Sequence, residues 1–122
     1  MEAVKINLIN QEFDGGIEYQ AHIQNIGWGQ SLKRDGQIAG TQGQSLRLEA
    51  ITIKLTGTME QKYDVYYRGH VQNFGWLDWA KNGQQSGSEG YAYRLEAVQI
   101  KLVPKGGTAP GKTSNCFKKY GQ

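Results

Sequence analysis

Hydrophobic and polar residues alternate along two stretches of this chain with a period of two. Ile17, Tyr19, Ala21 and Ile23 interleave with Glu18, Gln20, His22 and Gln24, which predicts a strand carrying the first set on one face. Val65, Tyr67, Gly69 and Val71 interleave in the same way with Tyr66, Arg68, His70 and Gln72. A second strand follows each, and its pattern changes phase. Leu46, Leu48 and Ala50 are apolar with Arg47 and Glu49 between them, whereas Ile51, Ile53 and Leu55 share the parity of Arg47. Tyr93, Leu95 and Ala97 give way likewise to Val98, Ile100 and Leu102. A side-chain period of two changes face only at a bulge or on passing between layers, so bends are expected at Ala50-Ile51 and Ala97-Val98. Asp14-Gly15, Asp35-Gly36 and Asn82-Gly83 are turn dipeptides, because the left-handed conformation is cheap there. No stretch carries the period of a long amphipathic helix. The pattern predicts an all-β, antiparallel chain.

These elements form two copies of one unit. His22/His70 and Trp28/Trp76 lie 48 residues apart, while Gly36/Gly83, Gly40/Gly87, Gly43/Gly90, Arg47/Arg94 and Glu49/Glu96 lie 47 apart. The lost residue falls between the Gly-Trp pair and the next glycine and marks a loop. A period of this size denotes a supersecondary unit that buries its apolar face against a neighbour. The expected organisation is a single domain over residues 1–122, with repeats at about 9–55 and 56–102, a closing strand at 4–8 and a tail at 103–122. Val4, Ile6 and Leu8 repeat the closing strand a third time, since V-K-I-N-L, I-T-I-K-L and V-Q-I-K-L begin at 4, 51 and 98. In the tail, the place of the two histidines falls near Cys116, and Lys105 to Gly111 reads as a loop. Phe117 and Tyr120 fit either a short closing strand or a frayed end. A sandwich or small barrel with internal pseudo-symmetry is the expected architecture, with an incomplete β-trefoil or β-prism as the alternative.

Composition narrows the chemistry. Seventeen glycines against two prolines favour tight turns over a disordered chain. The net charge of +3 eases approach to an anionic polymer such as teichoic acid without specifying one. The single cysteine excludes an internal disulfide framework and a four-thiolate metal site. No apolar run approaches a membrane span, and the N-terminus lacks a charged-then-apolar signal segment. A protein acting outside the cell would then be a module of a larger one or leave by another route.

The words of the repeat carry a resemblance. H-I-Q-N-I-G-W and H-V-Q-N-F-G-W, then G-Q-I-A-G-T-Q-G and G-Q-Q-S-G-S-E-G, then R-L-E-A-I-T-I-K-L and R-L-E-A-V-Q-I-K-L cover most of residues 17–102. Together they resemble the clostridial hydrophobic repeat with a conserved tryptophan. The resemblance implies a secreted or wall-associated protein of Gram-positive bacteria, or a lytic enzyme of their phages, with repeats that attach to surface glycans. It also implies copies in threes, where this chain has two. A second tryptophan often follows the first by three residues in that family; Trp79 supplies it in the second copy, but Ser31 stands in the first, so the two sites are not expected to be equivalent.

Among candidate ligand-binding residues, Trp28 and Trp76 come first. An indole can stack on the C–H-rich face of a sugar and donate its N–H, and a preceding glycine leaves room for close approach. They could equally be the core plug of each unit. Trp79, without a counterpart, is not demanded by the core twice. His22 and His70 lie on the polar face, able to bond a glycan hydroxyl or phosphate or to satisfy backbone groups. Arg47/Glu49 and Arg94/Glu96 fit an internal ion pair or an arginine fork for an anionic substituent. Asp35, with Lys33 and Arg34 in one loop and Asp78 and Lys81 in the other, reads as solvated, although loops often carry recognition.

Catalysis finds little support. H-E-x-x-H, G-x-S-x-G and a phosphate-cradling glycine motif are all missing from the sequence. Glu49 and Glu96 imitate a glycosidase pair, yet their equivalence by repeat opposes the different environments an acid and a nucleophile need. Basic residues are scattered without a stripe, which argues against nucleic acid. No cofactor, metal or membrane span is expected. The reading is a non-catalytic bacterial wall- or glycan-binding module, extracellular or wall-associated, that targets or anchors a larger protein. Its partners would be wall glycan or a teichoic-acid-type polymer, with a homo-oligomer or a catalytic domain as further partners. The alternative is a protein–protein adhesion module on a bacterial surface.

Overall fold

The computed structural model describes residues 1–121. In chain order the elements are β1 (Ala3–Val4), β2 (Ile17–Ile23), β3 (Lys33–Arg34), β4 (Ala39–Gly40) and β5 (Leu48–Leu55), then α1 (Gly57–Lys62). They continue as β6 (Tyr63–Val71), β7 (Gly75–Trp76), β8 (Ala80–Lys81), β9 (Ser86–Glu89), β10 (Leu95–Pro104) and β11 (Phe117–Lys119). The described residues are all-β apart from one short helix. Three sheets form: β1-β4, β10-β6-β7 with β8 also on β6, and β11-β9-β5-β2-β3. None of them closes on itself, so the barrel expectation does not hold among the described residues.

The duplication recurs bond for bond. β2 pairs antiparallel with β5 and β6 with β10, each by the alternation read from sequence. Tyr19 donates its hydroxyl to the Gln37 carbonyl and Tyr67 to that of Gln84. Ile17 N donates to Asp35 Oδ1 and Val65 N to Asn82 Oδ1, both at 2.9 Å. Gln24 N donates to Arg47 O at 2.9 Å and Gln72 N to Arg94 O at 3.0 Å. Asn25 and Asn73, with φ of 66° and 70°, turn the chain after each long strand. Gly27 and Gly75 follow at 65° and 75°, the left-handed conformation that the turn requires.

The phase change is a bulge, placed earlier than the hydrophobic pattern indicates. His22 faces Ala50 but Ile23 faces Leu48, so Glu49 is the extra residue; His70 faces Ala97 while Val71 faces Leu95, which singles out Glu96. Beyond it, Ile51, Ile53 and Leu55 join the core. The shift is therefore at the glutamates, not after Ala50 and Ala97. A bulge twists and re-aims side chains, and here it turns each glutamate toward the histidine of the neighbouring strand.

One core serves both units. Ile17, Tyr19, Ile23, Leu48, Ile51, Ile53 and Leu55 pack in the same cluster as Val65, Tyr67, Val71 and Leu95. Tyr19 and Tyr67 are its largest fully buried side chains. The units join where β5 pairs with β9, Ala50 facing Gly87 and Ile51 facing Ser86. Gly87 adopts φ 123°, and a Cβ there would stand 2.5 Å from Glu49 O and 2.7 Å from Ala50 Cα. Only glycine fits this approach. The helix α1 crosses between the units and buries Met59.

The ends differ from expectation in extent. The closing strand expected at 4–8 is a strand only at Ala3–Val4; Val4, Ile6 and Leu8 still pack against the core, half-buried. The tail is not frayed: β11 runs parallel to β9, with Phe117 opposite Gly87, and Tyr120 N donates to Glu89 O at 2.9 Å. Asp64, at the position of Gly16 in the first unit, fastens this end. Its buried carboxylate accepts from Asn82 Nδ2 at 2.9 Å and Gly106 N at 3.0 Å, with Lys105 Nζ at 3.1 Å. Burial raises its pKa, but these donors outweigh it and bring the carboxyl down to about 2.

Candidate functional site

Each long strand delivers its histidine next to a tryptophan. β2 and β6 carry His22 and His70 on the face opposite the core, and the Asn-x-Gly turn folds the tryptophan back over the ring. The rings meet edge-on, His22 with Trp28 at 5.3 Å and His70 with Trp76 at 5.1 Å between centroids. The bulge supplies the acid. Glu49 Oε1 lies 2.9 Å from His22 Nδ1, and Glu96 Oε1 lies 3.0 Å from His70 Nδ1. The arginine two residues earlier completes the row: Arg47 Nε donates to Glu49 Oε2 at 2.9 Å, and Arg94 Nη2 lies 3.4 Å from Glu96 Oε2. Thus eight of the sequence candidates form two Trp-His-Glu-Arg rows, one per unit.

Identical rows meet different surroundings. In the first unit Glu89, from β9 of the second, approaches His22 Nε2 to 3.4 Å, and Lys119 Nζ lies 3.5 Å from the other oxygen of Glu89. These residues close the row: the side chains of His22 and Glu49 are 14% and 8% exposed. The corresponding values for His70 and Glu96 are 37% and 33%. Trp28 is half-buried, and its indole nitrogen is buried without a hydrogen-bond partner among the described residues. Trp76 is 41% exposed. Neither tryptophan is the core plug, a place held by Tyr19 and Tyr67.

The second row extends further. The Arg68 guanidinium lies between two indoles, 4.8 Å from the Trp76 ring centre and 4.9 Å from that of Trp79. Its Nε donates to Gln99 Oε1 at 2.7 Å, which holds the plane in place. Trp79 is anchored by its backbone, whose N–H donates to Lys112 O at 2.8 Å. The tail therefore builds one wall of this array. In the first unit Gln20 stands at the position of Arg68 and instead donates to the carbonyls of Trp28 and Gln30, both at 2.8 Å.

Asp35 stands apart from both rows, at the other end of β2 from His22, where it closes a turn onto Ile17 N. Sequence reasoning did not single out Arg68 or Glu89. It also passed over an aromatic group confined to the second unit. Phe74 meets Tyr91 edge-on at 4.9 Å, Tyr91 stacks on Tyr93 at 5.5 Å and meets Tyr120 at 5.4 Å, and Lys118 Nζ sits 5.3 Å from the Phe74 ring centre. A groove of about 280 Å³ beside it is lined by Tyr91, Asn115, Phe117, Lys118 and Lys119. Ile26, Gln44 and Leu46 occupy the positions of Phe74, Tyr91 and Tyr93 in the first unit, so the duplication gave no signal. Among the described residues no three His, Cys, Asp or Glu side chains are grouped to hold a metal ion.

Residues 22–57 and 70–104, more than half of the chain, match the family described as Clostridial hydrophobic W. No curated protein and no solved structure matches. Each matched copy begins at the histidine of one row and runs through the tryptophan, the bulged glutamate and the closing strand. The chain belongs to the Clostridial hydrophobic W family, a repeat module of bacterial proteins rather than a known catalytic domain.

Proposed function

We propose that the chain is a non-catalytic module that binds a bacterial cell-wall glycan and so targets or anchors a larger protein, such as a lytic enzyme, at the cell surface. The observation that carries this reading is the open array of the second unit, Trp76-Arg68-Trp79 flanked by His70 and Glu96. The exposed Trp76 indole, fixed edge-on by His70, and the half-buried Trp79 beside it offer stacking area for a sugar ring at little cost in side-chain freedom. His70, Glu96 and the half-exposed Arg94 place donors and acceptors along the same rim for hydroxyl or anionic substituents. Holding Arg68 between the indoles keeps both rings apart and pre-set. The first unit, closed by Glu89 and Lys119, supports the second, so the two units are not equal subsites. A repeating polymer would raise the avidity of one open site per chain once several chains bind it.

Co-sedimentation with purified Gram-positive walls tests this, before and after stripping teichoic acids and other wall polysaccharides. Binding retained on stripping assigns peptidoglycan as the ligand, and binding lost assigns the accessory polymer. No binding to any wall refutes the reading for the walls used. Capture of a surface protein with no binding to purified glycan would favour the adhesion alternative instead.

A further inference from the structure

The junction between the two units has a second, partial instance at the N-terminus. Ala50 and Ile51 of β5 face Gly87 and Ser86 of the second unit; 47 residues earlier, Ala3 and Val4 face Gly40 and Ala39 of the first. Gly83 N donates to Ile53 O at 2.7 Å, and Gly36 N donates to Ile6 O at 2.8 Å, again 47 residues earlier. Residues 1–8 therefore do for the first unit what its closing strand does for the second. They are a built-in imitation of a preceding unit.

The other end has no such cover. β10 is the third instance of the closing strand, and its outer edge is unpaired among the described residues. Ile53 and Leu55 are 1% exposed, yet their counterparts Ile100 and Leu102 are 41% and 37% exposed. The open row at His70 goes with it, since among the described residues no acid stands at His70 Nε2 as Glu89 stands at His22 Nε2. An uncovered edge strand with apolar side chains is a template for pairing.

We propose that β10 is a self-association edge. Its V-Q-I-K-L takes the place of V-K-I-N-L on the first unit of a second copy, and chains join head to tail through a junction like the internal one. In that junction Val98 would face Ala39 of the second copy, as Ile51 faces Ser86 within the chain. Gln42, 47 residues before Glu89, would meet His70. The contact is heterologous, so it extends rather than closing a dimer. The displaced segment is a two-residue strand, held in addition by the Glu2 carboxylate, which accepts from Thr41 Oγ1 and from Gln44 N and Ser45 N at 2.8–3.0 Å.

Light scattering behind size-exclusion chromatography tests the proposal over a range of concentrations. A variant lacking residues 1–8 and the milder Glu2→Ala, each checked for folding by circular dichroism, should both associate at least tenfold more tightly than the wild type. Adding Ile100→Lys should return both to the unassociated state. In a Cys116→Ser background, Ala39→Cys with Val98→Cys should give a ladder of disulfide-linked copies, while Val98→Cys alone should give none. Folded Glu2→Ala that associates no more than the wild type overturns the proposal. So does association that Ile100→Lys leaves unchanged, or a linked dimer formed by Val98→Cys alone, which would mean edge-to-edge pairing of β10 with itself.

Discussion

Glu49 and Glu96 are the same residue of the repeat in unequal settings, and that inequality sets a stability experiment. Glu49 is 8% exposed, 2.9 Å from His22 Nδ1 and 2.9 Å from Arg47 Nε. Glu49→Ala leaves an arginine and a histidine facing one another with no acid between them. Removing one member of a buried charge pair costs about 3–5 kcal/mol; Arg47 keeps part of its contact with water, so about 2–3 kcal/mol is expected. Glu96 is 33% exposed, with His70 Nδ1 at 3.0 Å and the Arg94 contact made through Nη2 at 3.4 Å. Exposed pairs contribute about 0–1 kcal/mol, and Glu96→Ala should fall in that range. Urea unfolding of wild type and both variants, followed by far-ultraviolet circular dichroism, gives the two differences directly. A gap of at least about 1 kcal/mol between the variants is expected. Equal losses would refute the reasoning, because they would mean that the closing of the first row by the second unit has no energetic weight.

Three further outcomes follow from the packing. Gly87→Ala forces a Cβ against Glu49 O and Ala50 Cα at φ 123°, so a loss of about 2–4 kcal/mol is expected in the same unfolding assay. Tyr67→Phe leaves the Gln84 carbonyl without its donor and should cost about 1–3 kcal/mol, again by urea unfolding. Asp64 gives a pH signature. Its carboxyl, lowered from 3.8 to about 2 in the folded chain, contributes stability that is fully present above its unfolded pKa and is lost as pH falls toward 2. Discounted for the half-exposed lysines, the loss is on the order of 1–2 kcal/mol, measured as thermal midpoints between about pH 5 and pH 2. Asp64→Asn should flatten that slope, and an unchanged slope would contradict the assignment.

The strands carrying His22 and His70 could be read from the alternation because each sends every second side chain into the shared core. That face writes the strand's orientation into the sequence, although Asp64 and Tyr66 on the other face of β6 are buried too. The bulge could be detected but not placed. Ala50 and Ala97 are small enough to sit on either face, so the parity change shows only at Ile51 and Val98, after the backbone has already shifted at the glutamates. The helix α1 is too short to show a helical period, and its one buried residue, Met59, gives no pattern. Duplication exposed the Trp-His-Glu-Arg rows, since it marks what both units share. It hid what they do not share. Arg68, Glu89 and the Phe74-Tyr91-Tyr93-Tyr120 group replace Gln20, Gln42 and unrelated side chains, so they appear only where the structure brings them together. The different burial of two identical rows follows from which neighbour is present, and no property of either row's own residues encodes it.

Binding of the array in the second unit to wall glycan is tested most directly by sedimentation isotherms on one wall preparation. Wild type would be compared with Trp76→Ala, Trp79→Ala and Trp28→Ala, each checked for the native circular dichroism spectrum. Losing the exposed indole of Trp76 or the half-buried indole of Trp79 beside it should weaken binding at least tenfold, about 1.4 kcal/mol, while a folded Trp28→Ala should stay within about twofold of wild type. Wild-type affinity in folded Trp76→Ala and Trp79→Ala variants would contradict the assignment of the site.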